Sequence, residues 1–338
     1  MKKSKILGVI LARGGSKGIP KKNIKNLCGH PLISYSIYAG LKSKYIDKLI
    51  VSTDDSKISK IAKMYGAEVP FIRPKKLARD KVWSRDALKH AVLTAEKKFK
   101  IKYDFIVEIP AVAPLRPCHQ IDNAIEKLIK TKSDSVIAVT KVFDKHPVRI
   151  KRIKNDLIVD YNNTLKEGES SRRQELPSCY VRNGSIYAMK RDTIIENFSR
   201  KGKISRPLIM REEYSINIDE MSDFYLAENM IKRGNCENYP ASLVYNKQIN
   251  IYKTKSNSDY ILISYPEEIS KNIFKRFIPK YNLIFCDVKN LINIKEGIRK
   301  KIKIWITHTN GNIFIGEKKL NLFQNLKTLA SPSTGLTH

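Results

Sequence analysis

A run that is apolar throughout and rich in β-branched residues, ILGVILA at positions 6–12, passes directly into a glycine-rich, cationic stretch, RGGSKGIPKKN. No polar position interrupts the run, so it predicts a strand buried on both faces, which requires a sheet covered by helices on two sides. The segments that follow keep to that plan. Strands are predicted at 48–52, 105–109, 135–139 and 185–189. Helices are predicted at 32–41, 56–65 (ended by Gly66), 84–99 and 119–129. Within 84–99, Ala87, Leu88, Ala91, Val92 and Ala95 recur at helical spacing and mark the buried face. Strands alternating with helices mean crossover connections and a mostly parallel, doubly wound α/β sheet.

Between 145 and 177 the pattern weakens into short strands and polar turns, YNNTLKEGESSRRQELP among them, which predicts a hairpin arm leaving the sheet. A helix at 223–232 closes a first domain at 1–235. Residues 236–258 are turn-rich and polar and are read as a linker. A fresh alternation (YILISY, NLIFCDV, KIWITH) then predicts a small C-terminal α/β unit at 259–338.

With 338 residues and 42% hydrophobic side chains the chain has material for two cores. It has no apolar run long enough to span a membrane. Its basic tip and short apolar run imitate a signal peptide, but Arg13 and Lys17 follow at once and no small-x-small cleavage site is present. A cytoplasmic protein without membrane partners is expected. Cys28, Cys118, Cys179, Cys236 and Cys286 are scattered, with no C-x-x-C pair, which argues against a zinc site or a disulfide framework. The net charge is +31. Three explanations stay open: a lysine-rich surface, attraction of anionic small substrates, or polynucleotide binding. The lysines are spread along the chain, so nucleic acid is not the expected partner.

The stretch 13–23 lacks G-x-x-x-x-G-K-[ST], because its lysine precedes Gly18, and it lacks G-x-G-x-x-G. A tight strand-to-helix turn with solvated lysines is one reading. The other is a loop whose backbone N–H groups approach phosphate, with Arg13, Lys17 and Lys22 supplying positive charge around it.

LARGGSKGIPKKN resembles the signature of the N-acylneuraminate cytidylyltransferases (CMP-sialic acid synthetases) and their bacterial relatives for legionaminic and pseudaminic acids. VSTDD (51–55), RPKKLARD (73–80) with Ser84, APLR (113–116), RRQELP (172–177), NGSIY (183–187) and SINID (215–219) follow in the family's order. The resemblance spans about residues 4–233. It implies a fold of the nucleotide-diphospho-sugar transferase type and transfer of CMP from CTP to the anomeric hydroxyl of a 2-keto-3-deoxy sugar acid, with release of pyrophosphate. It implies a homodimer and a Mg2+ or Mn2+ cofactor. Charge builds on the phosphate oxygens in such a reaction, so positioning and electrostatics carry it.

By the resemblance, Arg13, Lys22 and Arg173 are catalytic. Gly14, Gly15, Ser16, Lys17, Asn23, Arg73 and Ser84 bind the nucleotide. Arg172, Arg116 and Asn183 meet the sugar. Asp219, Asn217 and Asp223 are the metal candidates. Three departures stand out: Asn217 replaces an aspartate, Pro110 replaces a glutamine, and Arg182 sits directly before Asn183. A KDO-type or other sugar nucleotidyltransferase is the alternative enzyme. A non-catalytic basic regulatory or nucleic-acid-binding protein is the alternative of another class.

The tail NLKTLASPSTGLTH (325–338) resembles part of a D-2-hydroxyacid dehydrogenase substrate domain. The dinucleotide fingerprint of that family is missing, so no dehydrogenase activity is expected.

Overall fold

The computed structural model describes residues 4–16, 18–143, 145–161, 176–233, 250–252, 259–264, 282–285, 294–307 and 323–330. The chain divides into two compact units, 1–62 with 67–238, and 63–66 with 239–338.

The first unit is built on β1 (Ile6–Leu11), whose side chains are buried almost throughout. A small hairpin of β2 (Asn26–Leu27) and β3 (His30–Pro31) leads into α1 (Leu32–Lys42). Then come β4 (Lys48–Ser52), α2 (Ser56–Met64), α3 (Ser84–Phe99), β5 (Phe105–Glu108), α4 (Cys118–Thr131) and β6 (Ser135–Val142). β7 (Lys151–Lys154) and β8 (Leu157–Asp160) form the expected hairpin. Its turn residues Asn155 and Asp156 both have positive φ, the twist that suits a two-residue hairpin loop. The remainder of the arm, 162–175, lies outside the described residues. β9 (Cys179–Lys190), α5 (Arg191–Ile195), β10 (Ser205–Met210) and α6 (Met221–Lys232) complete the unit.

The main sheet runs β10-β6-β9-β5-β1-β4. β1 pairs in parallel with β4 and β5, and β6 with β10, while β9 runs antiparallel to both β5 and β6. Leu7 and Val9 of β1 pack with Leu88, Ala91, Val92 and Ala95 of α3, the face that the helical spacing marks. α4 packs on β6 and β9 and against α1. Two elements depart from expectation. β9 extends well before residue 185, because its first half is exposed and polar yet pairs with β6. β10 has no strand signal, since Pro207 interrupts it. Proline is tolerated there because β10 is an edge strand.

The second unit holds a five-stranded sheet, β11 (Asn250–Tyr252), β12 (Tyr260–Ser264), β13 (Asn282–Phe285), β14 (Ile302–Thr307) and β15 (Thr328–Ala330), with a short helix α7 (Glu296–Arg299). Residues 250–252, assigned by sequence to the linker, are instead its edge strand, paired antiparallel with β13. The polar sequence on either side hides so short a strand. Leu262, Ile284, Trp305 and Phe323 form its core, with the two aromatic rings 5.2 Å apart. The tail motif from residue 331 onward lies outside the described residues. No helix among the described residues is long and apolar enough to cross a membrane.

Candidate active site

In open α/β sheets, ligands lie at the carboxyl ends of the parallel strands. β1 delivers the loop 13–23 to that edge, and β4 delivers Thr53, Asp54 and Asp55 beside it. The loop is closed on itself and pinned to its neighbours. Asn23, buried, donates from Nδ2 to the Arg13 carbonyl at 3.0 Å. Gly14 N–H donates to Asp54 Oδ1 at 3.0 Å, so that amide is already satisfied and is not a free phosphate donor. Asn23 likewise spends its amide N–H on the loop itself. Gly15 is open on every side, Ser16 is half-buried, and Lys17 lies outside the described residues.

Gly18 packs against a segment two hundred residues downstream. A Cβ there would collide with the backbone oxygen of Asp219, so only glycine permits this approach. Lys22 reinforces the junction, donating from Nζ to Ile218 O at 2.7 Å and to Asp219 Oδ1 at 2.9 Å. Arg13 pairs with Asp80 at 2.5 Å.

Arg13 and Asp80 lie in the wall of a cleft of about 690 Å3, with Leu11, Arg73, Trp83 and Ser84. Arg73 is 4% exposed, and its Nε and Nη2 have no hydrogen-bond partner. The nearest carboxylate, Asp54, is 3.7 Å from Nη2. Burial pulls the Arg73 guanidinium below its usual range, partly against the pull of Asp54. A buried cation with two open donors beside a cleft is an arrangement that a polar ligand completes.

A second cleft, about 840 Å3, has Trp83 and Ser84 in its wall too, together with Arg182, Tyr187, Arg200 and Arg206. It lies where β9 bulges: Ile137 faces Tyr187, but Val139 faces Arg182. Gly184, at φ +63°, sits in the bulge, and a Cβ there would meet Asn217 Nδ2 at 2.7 Å.

Four of the expected site residues are engaged by other parts of the chain. Arg116 is 1% exposed and faces the core, donating to Ser185 O and Ser36 Oγ, each at 2.8 Å, and to Pro110 O at 3.4 Å. It staples α1, the loop after β5, and β9. Asn183, 3% exposed, gives Nδ2 to Ser215 Oγ and Met210 Sδ while its Oδ1 accepts from Ser185 N, so it braces the bulge rather than a sugar. Asn217 turns its amide inward to donate to Asn183 O, and its Oδ1 is buried, so it does not present itself to a cation at the surface. Asp223 is the third residue of α6 and accepts from Asp219 N and Glu220 N, both at 2.9 Å, within a capping box. Asp219 keeps a carboxylate that is 76% exposed, with only Oδ1 engaged by Lys22. No cluster of three or more His, Cys, Asp or Glu suited to a metal occurs among the described residues. Arg172 and Arg173 lie outside them.

Residues whose part the sequence does not mark include Asp80, Glu108 and Arg200. Glu108 did carry a signal: a charged residue ending the apolar strand FIVE needs a buried partner.

The family model described as Cytidylyltransferase matches residues 7–255. The chain belongs to the cytidylyltransferase family. This cytidylyltransferase is 35% identical over 234 residues to post-translational flagellin modification protein B of Campylobacter coli, spanning 69% of this chain and 98% of that protein. It is 34% identical over 232 residues to CMP-N,N'-diacetyllegionaminic acid synthase of Campylobacter jejuni, spanning 69% and 97% respectively. Among solved structures, CMP:2-keto-3-deoxy-manno-octonic acid synthetase complexed with CTP shares the fold, with a TM-score of 0.52 at 15% identity, over 68% of this chain and 100% of that one. The cytidylyltransferase is a nucleotidyltransferase enzyme with a mostly parallel α/β sheet.

Proposed function

We propose that this cytidylyltransferase transfers CMP from CTP to the anomeric hydroxyl of a nonulosonic acid. The hydroxyl oxygen bonds to the α-phosphorus as its proton passes to solvent, the bond from the α-phosphorus to the bridging oxygen breaks, and pyrophosphate leaves with that oxygen and the electron pair. One observation carries the placement of CTP: the buried Arg73 guanidinium, whose Nε and Nη2 make no hydrogen bond although Nη2 lies 3.7 Å from Asp54, in the wall of a cleft that also holds Arg13. Arg73 and Ser84 offer hydrogen-bond donors to the nucleotide. Arg13 and Lys22 face the growing charge on the phosphates, where oriented cations act most strongly.

The adjoining cleft takes the sugar acid, whose carboxylate suits Arg182 and Arg206. Arg172 and Arg173, by the family resemblance, approach from the arm. Asp219 fits a divalent cation, since its carboxylate is exposed and keeps Oδ2 without a partner among the described residues, whereas Asn217 and Asp223 are committed elsewhere. Mg2+ or Mn2+ bound there together with substrate oxygens supplies charge neutralisation on the triphosphate.

Pyrophosphate release, measured with each of the four nucleoside triphosphates and a panel of 2-keto-3-deoxy sugar acids, tests the proposal. Turnover restricted to CTP, and abolished by EDTA, is expected. Turnover with another nucleotide in preference to CTP, or with sugar 1-phosphates alone, overturns it.

The hairpin β7–β8 supports a homodimer. Ile153, Leu157 and Ile158 are 77%, 66% and 76% exposed, and a lone two-stranded hairpin is marginal in water. Covering each such side chain contributes about 1.5–3 kcal/mol. Ile153→Lys combined with Ile158→Lys is expected to halve the mass seen by light scattering while leaving the helical circular dichroism intact. An unchanged mass removes the hairpin from the interface.

A further inference from the structure

Glu108 ends β5 with its carboxylate 5% exposed. Arg200 meets it side-on, Nε to Oε2 and Nη2 to Oε1, each at 2.6 Å. The Tyr187 ring lies 5.4 Å from the same guanidinium. With two edges fixed, the third nitrogen has little freedom, and Nη1 donates to Ser84 Oγ at 2.8 Å. Ser84 stands in the walls of both clefts.

A serine hydroxyl left to itself rotates and serves equally as donor or acceptor. With a charged N–H donor on one lone pair, its own proton turns away from the guanidinium. No acceptor for that proton occurs among the described residues. We infer that Arg200 is a positioning residue for base selection: braced by Glu108 and Tyr187, it commits the Ser84 hydroxyl to donating toward the nucleotide. The inference rests on the reading that CTP occupies the cleft beside Arg73.

The consequence is chemical. Cytosine presents a bare acceptor at ring N3 where uracil presents an N–H, so a hydroxyl fixed as a donor accepts the first and opposes the second. Arg73 has no acceptor either. A site whose polar groups are unmatched by the wrong ligand discriminates more sharply than shape does.

Removing Arg200 alone would strand Glu108, whose carboxyl burial already pushes upward. The test therefore pairs Glu108→Gln with Arg200→Gln, a neutral couple, and adds Arg200→Lys, which keeps the charge but loses the planar fork. The readout is the ratio of CTP to UTP, in equilibrium binding and in kcat/KM, for wild type, both variants, Ser84→Ala, and Ser84→Ala combined with the neutral couple. The ratio is expected to fall about tenfold, the weight of one hydrogen bond, in each variant. It should fall no further when the couple is added to Ser84→Ala. A purely structural brace would lower the melting temperature and scale both nucleotides alike. A wild type that prefers CTP, with folded variants that keep the preference, overturns this inference alone. A wild type with no preference for CTP overturns the placement of the nucleotide as well.

Discussion

Lys22→Met is expected to lower kcat by about a thousandfold, the scale on which losing one oriented charge at a reacting phosphate is felt. The melting temperature changes little. The Lys22 ammonium is held by two acceptors, Ile218 O and Asp219 Oδ1, and its side chain is 13% exposed. It therefore points its ammonium at the junction between the loop and the segment before α6 with little rotameric freedom, ready for the triphosphate to compete with Asp219 for it. The carboxylate left behind is largely in water, so deleting the lysine strands no buried charge and costs about 1 kcal/mol of stability or less. Pyrophosphate release alongside a thermal melt separates the two effects. A variant within tenfold of wild type would remove Lys22 from the chemistry.

Arg116→Ala has the opposite profile, a loss of stability of about 3 kcal/mol or more. The side chain is fully interior, and its loss leaves the carbonyls of Ser185 and Pro110 short of a donor and opens a cavity. Ser36 Oγ, which itself donates to Pro110 O at 2.9 Å, loses its own donor. Burial pulls the Arg116 guanidinium down to about 9, the mark of a cation kept at a cost and retained for its geometry. For a unit of this size the melting temperature should drop by roughly 6–12 °C. At temperatures where the variant is still folded, the KM for the sugar acid should change little. A stable variant with a raised sugar KM would return Arg116 to the substrate site.

These two arginine- and lysine-based results illustrate what the sequence could and could not reveal. The strand 48–52 and the helix 84–99 were legible to the residue, because periodicity and flanking polarity are local. The opening loop announced its cations for the same reason. Arg116 and Asn183 lie in recognisable motifs, but a motif does not say whether a side chain faces a cleft or the core. That depends on α1, β9 and residues 210–215 arriving from elsewhere in the chain. Glu108 and Arg200 are 92 residues apart, and Lys22 and Asp219 are 197 apart. No window of sequence contains either pair. The bulge in β9 was also hidden, since its cause is a pairing mismatch with β6 and not a pattern within β9.

The contact between Gly18 and the carbonyl of Asp219 means that the opening loop is not a transplantable cassette. Anyone grafting it onto another scaffold must bring along the segment before α6, two hundred residues downstream, because the loop packs against its backbone. In return, the close approach keeps the Lys22 ammonium and the Asp219 carboxylate side by side at the mouth of the loop.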